Sequence, residues 1–263
     1  MLQGILDVHA HAFPDKIYIK AVQQLETYYG INITNQGNLK GLQLSAKEAG
    51  VTHLAVNTVA TSASYVGPAN DWIINLIKQD IIGLGTMHPD YLEPVKKLER
   101  LAQFGVKGIK FHAEFQNFLL DDPKMWPIYE AIADRFVVMF HMGDKSSTNS
   151  EPRRLANVLD AFPKMKVIAA HLGGWSMWDA AEKYLLQRDI YLDTSSTQWC
   201  LEPDRIYQII KKHGIDRVLF GTDYPIRNHR EELEAFETLP FSQKERDKIL
   251  WHNGCKLFNL SYL

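Results

Sequence analysis

The stretch ILDVHAH, at residues 5–11, has the length and apolar content of a buried β-strand and ends on two histidines. Because side chains two positions apart on a strand share a face, we expect His9 and His11 to point the same way. Seven further apolar runs of strand length follow it: HLAVNTVA (53–60), IIGLGTMH (81–88), VKGIKFH (106–112), FVVMFHM (136–142), KVIAAHL (166–172), IYLDTS (190–195) and RVLFGTD (217–223). Eight such runs in series indicate a repeated unit built around one sheet.

Helical patterns fill most of the intervals between these runs. In DYLEPVKKLERLAQFG (90–105) the apolar residues have helical spacing, and Gly105 is expected to end the helix; they are Leu92, Val95, Leu98 and Leu101. Residues 203–214 begin with proline and stop at glycine, and Ser242 and Glu245 have the spacing of a capping box. Alternating strands and helices predict an α/β protein with a parallel sheet.

The connections between elements are unequal in length. Helix-to-strand links such as KEAGVTHL (47–54) are short, whereas strand-to-helix links such as GDKSSTNSEP (143–152) and TSSTQWCLEP (194–203) are longer and more polar. A (β/α)8 barrel gathers loops of the second kind on one rim, where active sites form. We therefore predict a single (β/α)8 TIM barrel over residues 1–263. A doubly wound open sheet is the alternative, but it usually has fewer than eight strand–helix units.

Composition and charge argue against several classes of protein. The chain has 263 residues, 46% hydrophobic and 23% charged, with a formal net charge of -2 and no long basic run, so neither nucleic acid nor a membrane is the expected partner. The start MLQGILDVHAHAF lacks the features of a signal peptide. Cys200 and Cys255 are far apart, which fits a reducing cytoplasm. A small-molecule substrate is the expected partner.

Histidines stand at the ends of most of the strand-like runs. They are His9, His11, His88, His112, His141 and His171, and Asp223 closes the eighth run. In a barrel these ends converge on one rim, and imidazoles with a carboxylate suit zinc or a similar divalent ion. Each histidine taken alone is explained as readily by a buried, hydrogen-bonded core position. The set of them at strand ends favours a metal site.

A known family shares these segments in the same order. DVHAHAFP (7–14), GIKFH (108–112), FHMG (140–143), AAHLGGW (169–175), YLDTS (191–195) and LFGTDYP (219–225) resemble the amidohydrolase superfamily. Within it, the sequence is most similar to the branch that contains aminocarboxymuconate-semialdehyde decarboxylase. The chain departs from that branch at Ala113, where proline is frequent, and in its short loops, which disfavours bulky substrates.

The resemblance implies a role for each residue. His9, His11, His141 and Asp223 match the metal ligands, and His171 and Asp223 match the catalytic residues. Lys110 and His112 match residues that border the substrate pocket. The resemblance implies one divalent ion, with Zn2+ as the expectation. A second ion bridged by a carboxylated Lys110 is the alternative to an ordinary lysine that binds a substrate carboxylate. Relatives are commonly homodimers.

Other polar and aromatic residues carry weaker expectations. His88 is assigned to the pocket or to a structural role, and Arg227 and His229 to solvated loop positions. We expect structural roles for His53, His213 and His252. The indoles could stack on a planar substrate, although packing alone explains them as well; they are Trp175, Trp178 and Trp199.

Three functions fit this sequence. The first expectation is a hydrolase in which metal-activated water cleaves an ester, lactone or amide, with Asp223 and His171 moving protons. The alternative is a non-oxidative decarboxylase, in which the same site protonates a ring or alkene carbon and releases carbon dioxide. The absence of an arginine cluster for a carboxylate favours the hydrolase. A binding protein without catalysis is the third, and the intact ligand set argues against it.

Overall fold

A closed parallel barrel forms the centre of the molecule in the computed structural model, which describes residues 4–133 and 135–260. Its strands are β1 (Leu6–His11), β2 (His53–Asn57), β3 (Ile81–Thr86), β4 (Gly108–Phe111), β5 (Val137–Phe140), β6 (Lys166–Ala169), β7 (Tyr191–Asp193) and β8 (Val218–Leu219). Each strand pairs in parallel with the next in chain order. The Val8 amide donates to the Phe220 carbonyl (3.0 Å) and the His11 amide to that of Tyr224 (2.7 Å), which closes the sheet. The predicted (β/α)8 barrel is confirmed.

Helices surround the barrel. They are α1 (Tyr18–Tyr29), α2 (Leu39–Glu48), α3 (Val66–Leu76), α4 (Pro94–Gln103), α5 (Trp126–Ile132), α6 (Pro152–Ala161), α7 (Trp178–Tyr184), α8 (Pro203–His213), α9 (His229–Glu237), α10 (Gln243–Asp247) and α11 (Asn253–Phe258). Short 3-10 turns cover Ala63–Tyr65, Pro123–Met125, His171–Gly173 and Ile215–Arg217, and a π-turn covers Lys248–His252. Within the described ranges, no helix is long and apolar enough to cross a membrane.

Local sequence signals explain several of these boundaries. Leu98 and Leu101 are buried on α4 and Gly105 has a positive φ, as the helical spacing predicts. Leu92, by contrast, precedes the helix and is almost fully exposed, because Pro94 starts α4 two residues later. The predicted capping box is present, with Ser242 and Glu245 each accepting from the other's backbone amide.

The end of the barrel opposite the long loops is filled by apolar side chains. Side chains from six strands (β1, β2, β3, β5, β6 and β8) meet those of α11 and the turn before it in one cluster: Leu6, Val8, Ala55, Ile82, Leu84, Val137, Met139, Ile168, Leu219, Trp251, Cys255, Leu257 and Phe258. Burial of such residues stabilises the fold by removing apolar surface from water. The polar strand-end residues are therefore confined to the carboxyl-terminal rim.

Candidate metal centre and active-site cavity

The residues expected at the site stand at or just past the carboxyl ends of their strands. His9 and His11 lie within β1, whose pairing with β2 shifts register between Asp7 and Ala10, and such bulges re-aim side chains. His141 follows β5 directly. The backbone at this rim is strained, because four residues other than glycine have positive φ: His171, Leu172, Ser196 and Asp223.

His9 is held by a buried carboxylate. Its Nδ1 lies 3.0 Å from Asp193 Oδ2, and because a carboxylate only accepts, Nδ1 carries the proton. The other ring nitrogen, Nε2, is therefore a lone-pair donor, as a metal-binding histidine requires. It lies 3.5 Å from Asp223 Oδ1.

His11 and Asp223 complete a compact group with His9. His11 Nε2 lies 3.1 Å from Asp223 Oδ1, while Asp223 Oδ2 accepts a hydrogen bond from Ser196 Oγ at 2.7 Å. One ligand atom from each of His9, His11 and Asp223 lies within 4.8 Å of the other two. The structure thus brings three of the four predicted metal ligands together.

His141, the fourth predicted ligand, reaches this group through His171. His141 Nε2 donates to the Gly143 carbonyl at 3.0 Å, and His171 Nδ1 donates to the Ser195 carbonyl at 3.0 Å. Because carbonyl oxygens only accept, the remaining nitrogens, His141 Nδ1 and His171 Nε2, both present lone pairs, and they lie 3.1 Å apart. Two facing lone pairs are stable only with a metal ion or a proton to share, so the donor set fits a divalent ion.

Burial sets the protonation state of these ligands. It lowers the pKa of His9 to about 4 and also lowers the pKa values of His11 and His141. Burial alone would raise the pKa of Asp223, but the neighbouring imidazoles outweigh it and hold that pKa well below its usual range. Neutral imidazoles beside an ionised carboxylate are the form that binds a metal.

Lys110 and His112 occupy different surroundings. Lys110 is fully buried, with Nζ 2.9 Å from His9 Nε2, and burial lowers its pKa to about 8. The His112 ring stacks between Phe115 and His141, at centroid distances of 3.8 and 3.9 Å. Burial lowers the pKa of His112, although Glu114 opposes the shift.

The donor cluster opens into a cavity of about 280 Å3. Its walls are mainly apolar and aromatic, and they are formed by His11, Phe13, Ala21, Gln24, Leu25, Tyr28, Tyr29, Val59, Thr61, His112, Phe115, His141, Asp223 and Ile226. A narrow crevice beside it is lined by His171, Trp175 and Trp199, among others. Among the described residues, no lysine or arginine lines the larger cavity. The space suits a small planar ligand.

The remaining expectations meet mixed outcomes. Trp178 donates its indole N–H to the His171 carbonyl at 3.0 Å, so it supports the rim rather than facing the cavity. The solvated position expected for His229 is wrong: this residue is fully buried, 3.1 Å from Asp7 Oδ2 and 2.8 Å from Ser45 Oγ. Arg227 pairs with Glu231 and Glu232.

Sequence reasoning missed several residues of the site. Tyr28 and Tyr29 come from α1, a helix without a buried residue and therefore without a clear apolar stripe. Asp193 is the last residue of β7 and Ser195 lies two residues beyond it, so their place at a strand end was the available signal. Glu114 lies two residues after the GIKFH segment, and no sequence pattern pointed to it.

Barrel topology, the strand-end donor set and the cavity above it define the class as a metal-dependent (β/α)8-barrel enzyme. The family model described as Amidohydrolase matches residues 6–260, and the chain belongs to that family. A gamma-resorcylate decarboxylase from Polaromonas sp. (strain JS666) is 27% identical over 173 residues, covering 58% of this chain and 51% of its own. A 2-amino-3-carboxymuconate-6-semialdehyde decarboxylase from Caenorhabditis elegans is 29% identical over 125 residues, covering 40% and 31%. The chain thus spans about half or less of these curated relatives.

A solved structure shares the whole fold. The dihydroxybenzoic acid decarboxylase from Polaromonas sp. JS666, with bound manganese and the inhibitor 2-nitroresorcinol, has a TM-score of 0.72 and 17% identity. The match covers 98% of this chain and 97% of that one. All three of these proteins are decarboxylases, so the leading expectation of a hydrolase is wrong. The missing arginine cluster misled it, because a bound cation also offers positive charge to a carboxylate.

Proposed function

We propose that this protein is a metal-dependent, non-oxidative carboxy-lyase that acts on a small aromatic or unsaturated carboxylic acid. The carbon that bears the carboxylate gains a proton, its bond to the carboxyl carbon breaks, and carbon dioxide leaves while the electron pair returns to the ring or alkene. One observation carries the proposal: the donor cluster, where a bound cation would attract a carboxylate, lies on the floor of a cavity with aromatic walls. The decarboxylase relatives support it.

His9, His11, His141 and Asp223 would hold one divalent ion. When bound, it supplies the positive charge that fixes and neutralises the anionic groups of the substrate. We propose zinc, because three imidazoles and one carboxylate form a nitrogen-rich donor set. The relative with bound manganese makes that metal the first alternative to load.

His171 and Asp223 are placed to hold the transferred proton, because both line the crevice beside the main cavity. The Ser195 carbonyl fixes the proton on His171 Nδ1, which leaves Nε2 to take up and deliver a second one. Asp223, ionised by its neighbours, would stabilise the protonated imidazole. The mainly apolar walls would limit the access of water to the reacting carbon, which favours release of carbon dioxide over side reactions.

His112 and Lys110 would contribute on the substrate side. His112 lines the main cavity and can contact a bound acid. Lys110 lies beneath His9, where its charge would add to the attraction for a substrate carboxylate. A cavity of this size fits a small molecule and offers no surface for nucleic acid.

Product analysis tests the proposal. The protein loaded with zinc or with manganese is incubated with 2,6-dihydroxybenzoate and other aromatic acids in deuterium oxide, alongside a panel of esters and lactones. We expect carbon dioxide release with one deuterium placed on the former carboxyl-bearing carbon, and none with metal-free protein. Turnover of esters or lactones without carbon dioxide release from any acid would contradict the proposal.

A further inference from the structure

Tyr29 stands at the carboxyl end of α1 and borders both the main cavity and the adjoining crevice. Its hydroxyl oxygen lies 3.0 Å from His112 Nε2. A phenol can donate one hydrogen bond and accept others. Whether His112 Nε2 carries a proton therefore decides whether the Tyr29 hydroxyl meets a ligand as a donor or as an acceptor.

The contact of His112 Nδ1 with Glu114 decides which ring nitrogen carries the proton. His112 Nδ1 faces Glu114 Oε2 at 3.3 Å in a buried ion-pair contact whose geometry falls short of a hydrogen bond, and neither atom has a hydrogen-bond partner among the described residues. Glu114 is fixed in place because its Oε1 accepts from the Ser150 amide (3.1 Å) and hydroxyl (2.6 Å). A carboxylate accepts only, so the proton of the neutral ring lies on Nδ1 and Nε2 is an acceptor.

The same three groups do not suit a second ion. Although His112, Glu114 and His141 approach one another, the two imidazoles stack face to face at 3.9 Å with an interplanar angle of 9°. The lone pairs of stacked rings run parallel instead of converging. We therefore interpret Glu114 as a group that orients His112 and not as a ligand of a second ion.

We infer that Tyr29 is a specificity-determining residue that accepts a hydrogen bond from a hydroxyl or amino group on the substrate ring, with Glu114 and His112 as positioning residues. The Tyr29 O–H is committed to His112 Nε2, so the role that remains to its oxygen, toward a ligand in the spaces that Tyr29 lines, is that of an acceptor. This inference rests on the proposed function and narrows its substrate to hydroxylated or amino-substituted acids. Tyr18, the first residue of α1, lines neither the main cavity nor the crevice and provides a control on the same helix.

A binding cycle tests the assignment without turnover. The probes are 2-nitroresorcinol and its dimethyl ether, titrated calorimetrically into manganese-loaded wild type, Tyr29→Phe and Tyr18→Phe. Loss of the Tyr29 acceptor is expected to reduce the preference for the hydroxyl probe by about 3- to 10-fold, the value of one hydrogen bond. Tyr18→Phe should keep the wild-type preference. Because the cycle compares ratios, any contact of the hydroxyl with the ion cancels.

A second variant, Glu114→Gln, is designed to move the His112 proton from Nδ1 to Nε2. In Glu114→Gln the amide oxygen can still accept from Ser150 while the amide nitrogen faces His112 Nδ1, so the imidazole proton should move to Nε2. Nitrogen NMR of the histidine rings is expected to show this exchange, and the preference for the hydroxyl probe should fall as in Tyr29→Phe. A proton already on Nε2 in the wild type, an unchanged preference in Tyr29→Phe, or no binding of either probe would overturn the inference. If Tyr29→Phe lowers the preference for the hydroxyl probe but no acid releases carbon dioxide, the result would count against the proposed function alone.

Discussion

His141 Nδ1 and His171 Nε2 lie 3.1 Å apart with their lone pairs facing, because each ring donates its other nitrogen's proton to a backbone carbonyl. A buried contact between two acceptors is unfavourable unless a cation lies beside it. The fold therefore holds its imidazoles ready for an ion at some expense of stability in the ion-free protein.

Metal removal should consequently destabilise the protein. An ion at about 100 times its dissociation constant stabilises the folded state by about 2.7 kcal/mol, which corresponds to about 5–10 °C in a protein of this size. We expect chelation to lower Tm by that amount and zinc or manganese to restore it, measured by thermal unfolding. Calcium, which prefers oxygen ligands, serves as the control. Identical melting with and without the transition metals would contradict the assignment of the site.

Asp193→Asn should weaken metal binding by about 10- to 100-fold, the usual effect of losing a carboxylate behind a ligating histidine. The asparagine keeps the Oδ1 acceptor that the His171 and Ser195 amides use, but it presents an amide donor to His9 Nδ1. The imidazole proton then shifts to Nε2 and blocks the ligand lone pair. Competition titration with a zinc indicator measures the effect, and the exposed Asp189→Asn on the same strand connection should bind as wild type does.

Much of the fold, and the gathering of the strand-end histidines and Asp223 on one rim, could be predicted because both depend on short-range patterns. Runs such as residues 5–11 carry their burial in their composition, and histidines at strand ends are brought together by any parallel barrel. Residues 217–223 show the limit of such patterns: the strand ends at Leu219, and Asp223 lies in the irregular segment beyond it.

The remainder depends on contacts that no local pattern encodes. Tyr29 meets His112 across 83 positions of sequence, from a helix whose side chains are all at least partly exposed. His229 is buried because Asp7 and Ser45 provide polar partners, and a charged loop sequence gives no sign of that. The partners of a polar side chain, unlike its periodicity, are known only once the chain is folded.

His213 should make stability depend on pH. Its Nε2–H donates to the Ile190 carbonyl at 2.9 Å, and burial lowers its pKa from 6.5 to about 4. Between these values the unfolded chain binds a proton that the folded chain does not, so the free energy of unfolding falls as pH drops from 6.5 to 4, by at most about 3 kcal/mol. In denaturant titrations, His213→Gln should flatten this dependence, whereas the exposed His252→Gln should retain it. Equal slopes in wild type and His213→Gln would refute the burial argument.

Asp223→Asn should abolish most activity while the fold is kept. The substitution preserves the shape of the side chain and an oxygen for the Ser196 hydroxyl, but it removes the negative charge between His9, His11 and His171. Without that charge the ion is held less tightly and a protonated His171 is no longer stabilised, so kcat should fall by about 100-fold or more even at saturating metal. Carbon dioxide release on the best acid substrate gives the rate, and thermal unfolding checks the fold. Asp216→Asn, an exposed partner of Lys248, is the control that should retain full activity. Near-normal turnover in Asp223→Asn would show that the proton and the ion are handled elsewhere on the rim.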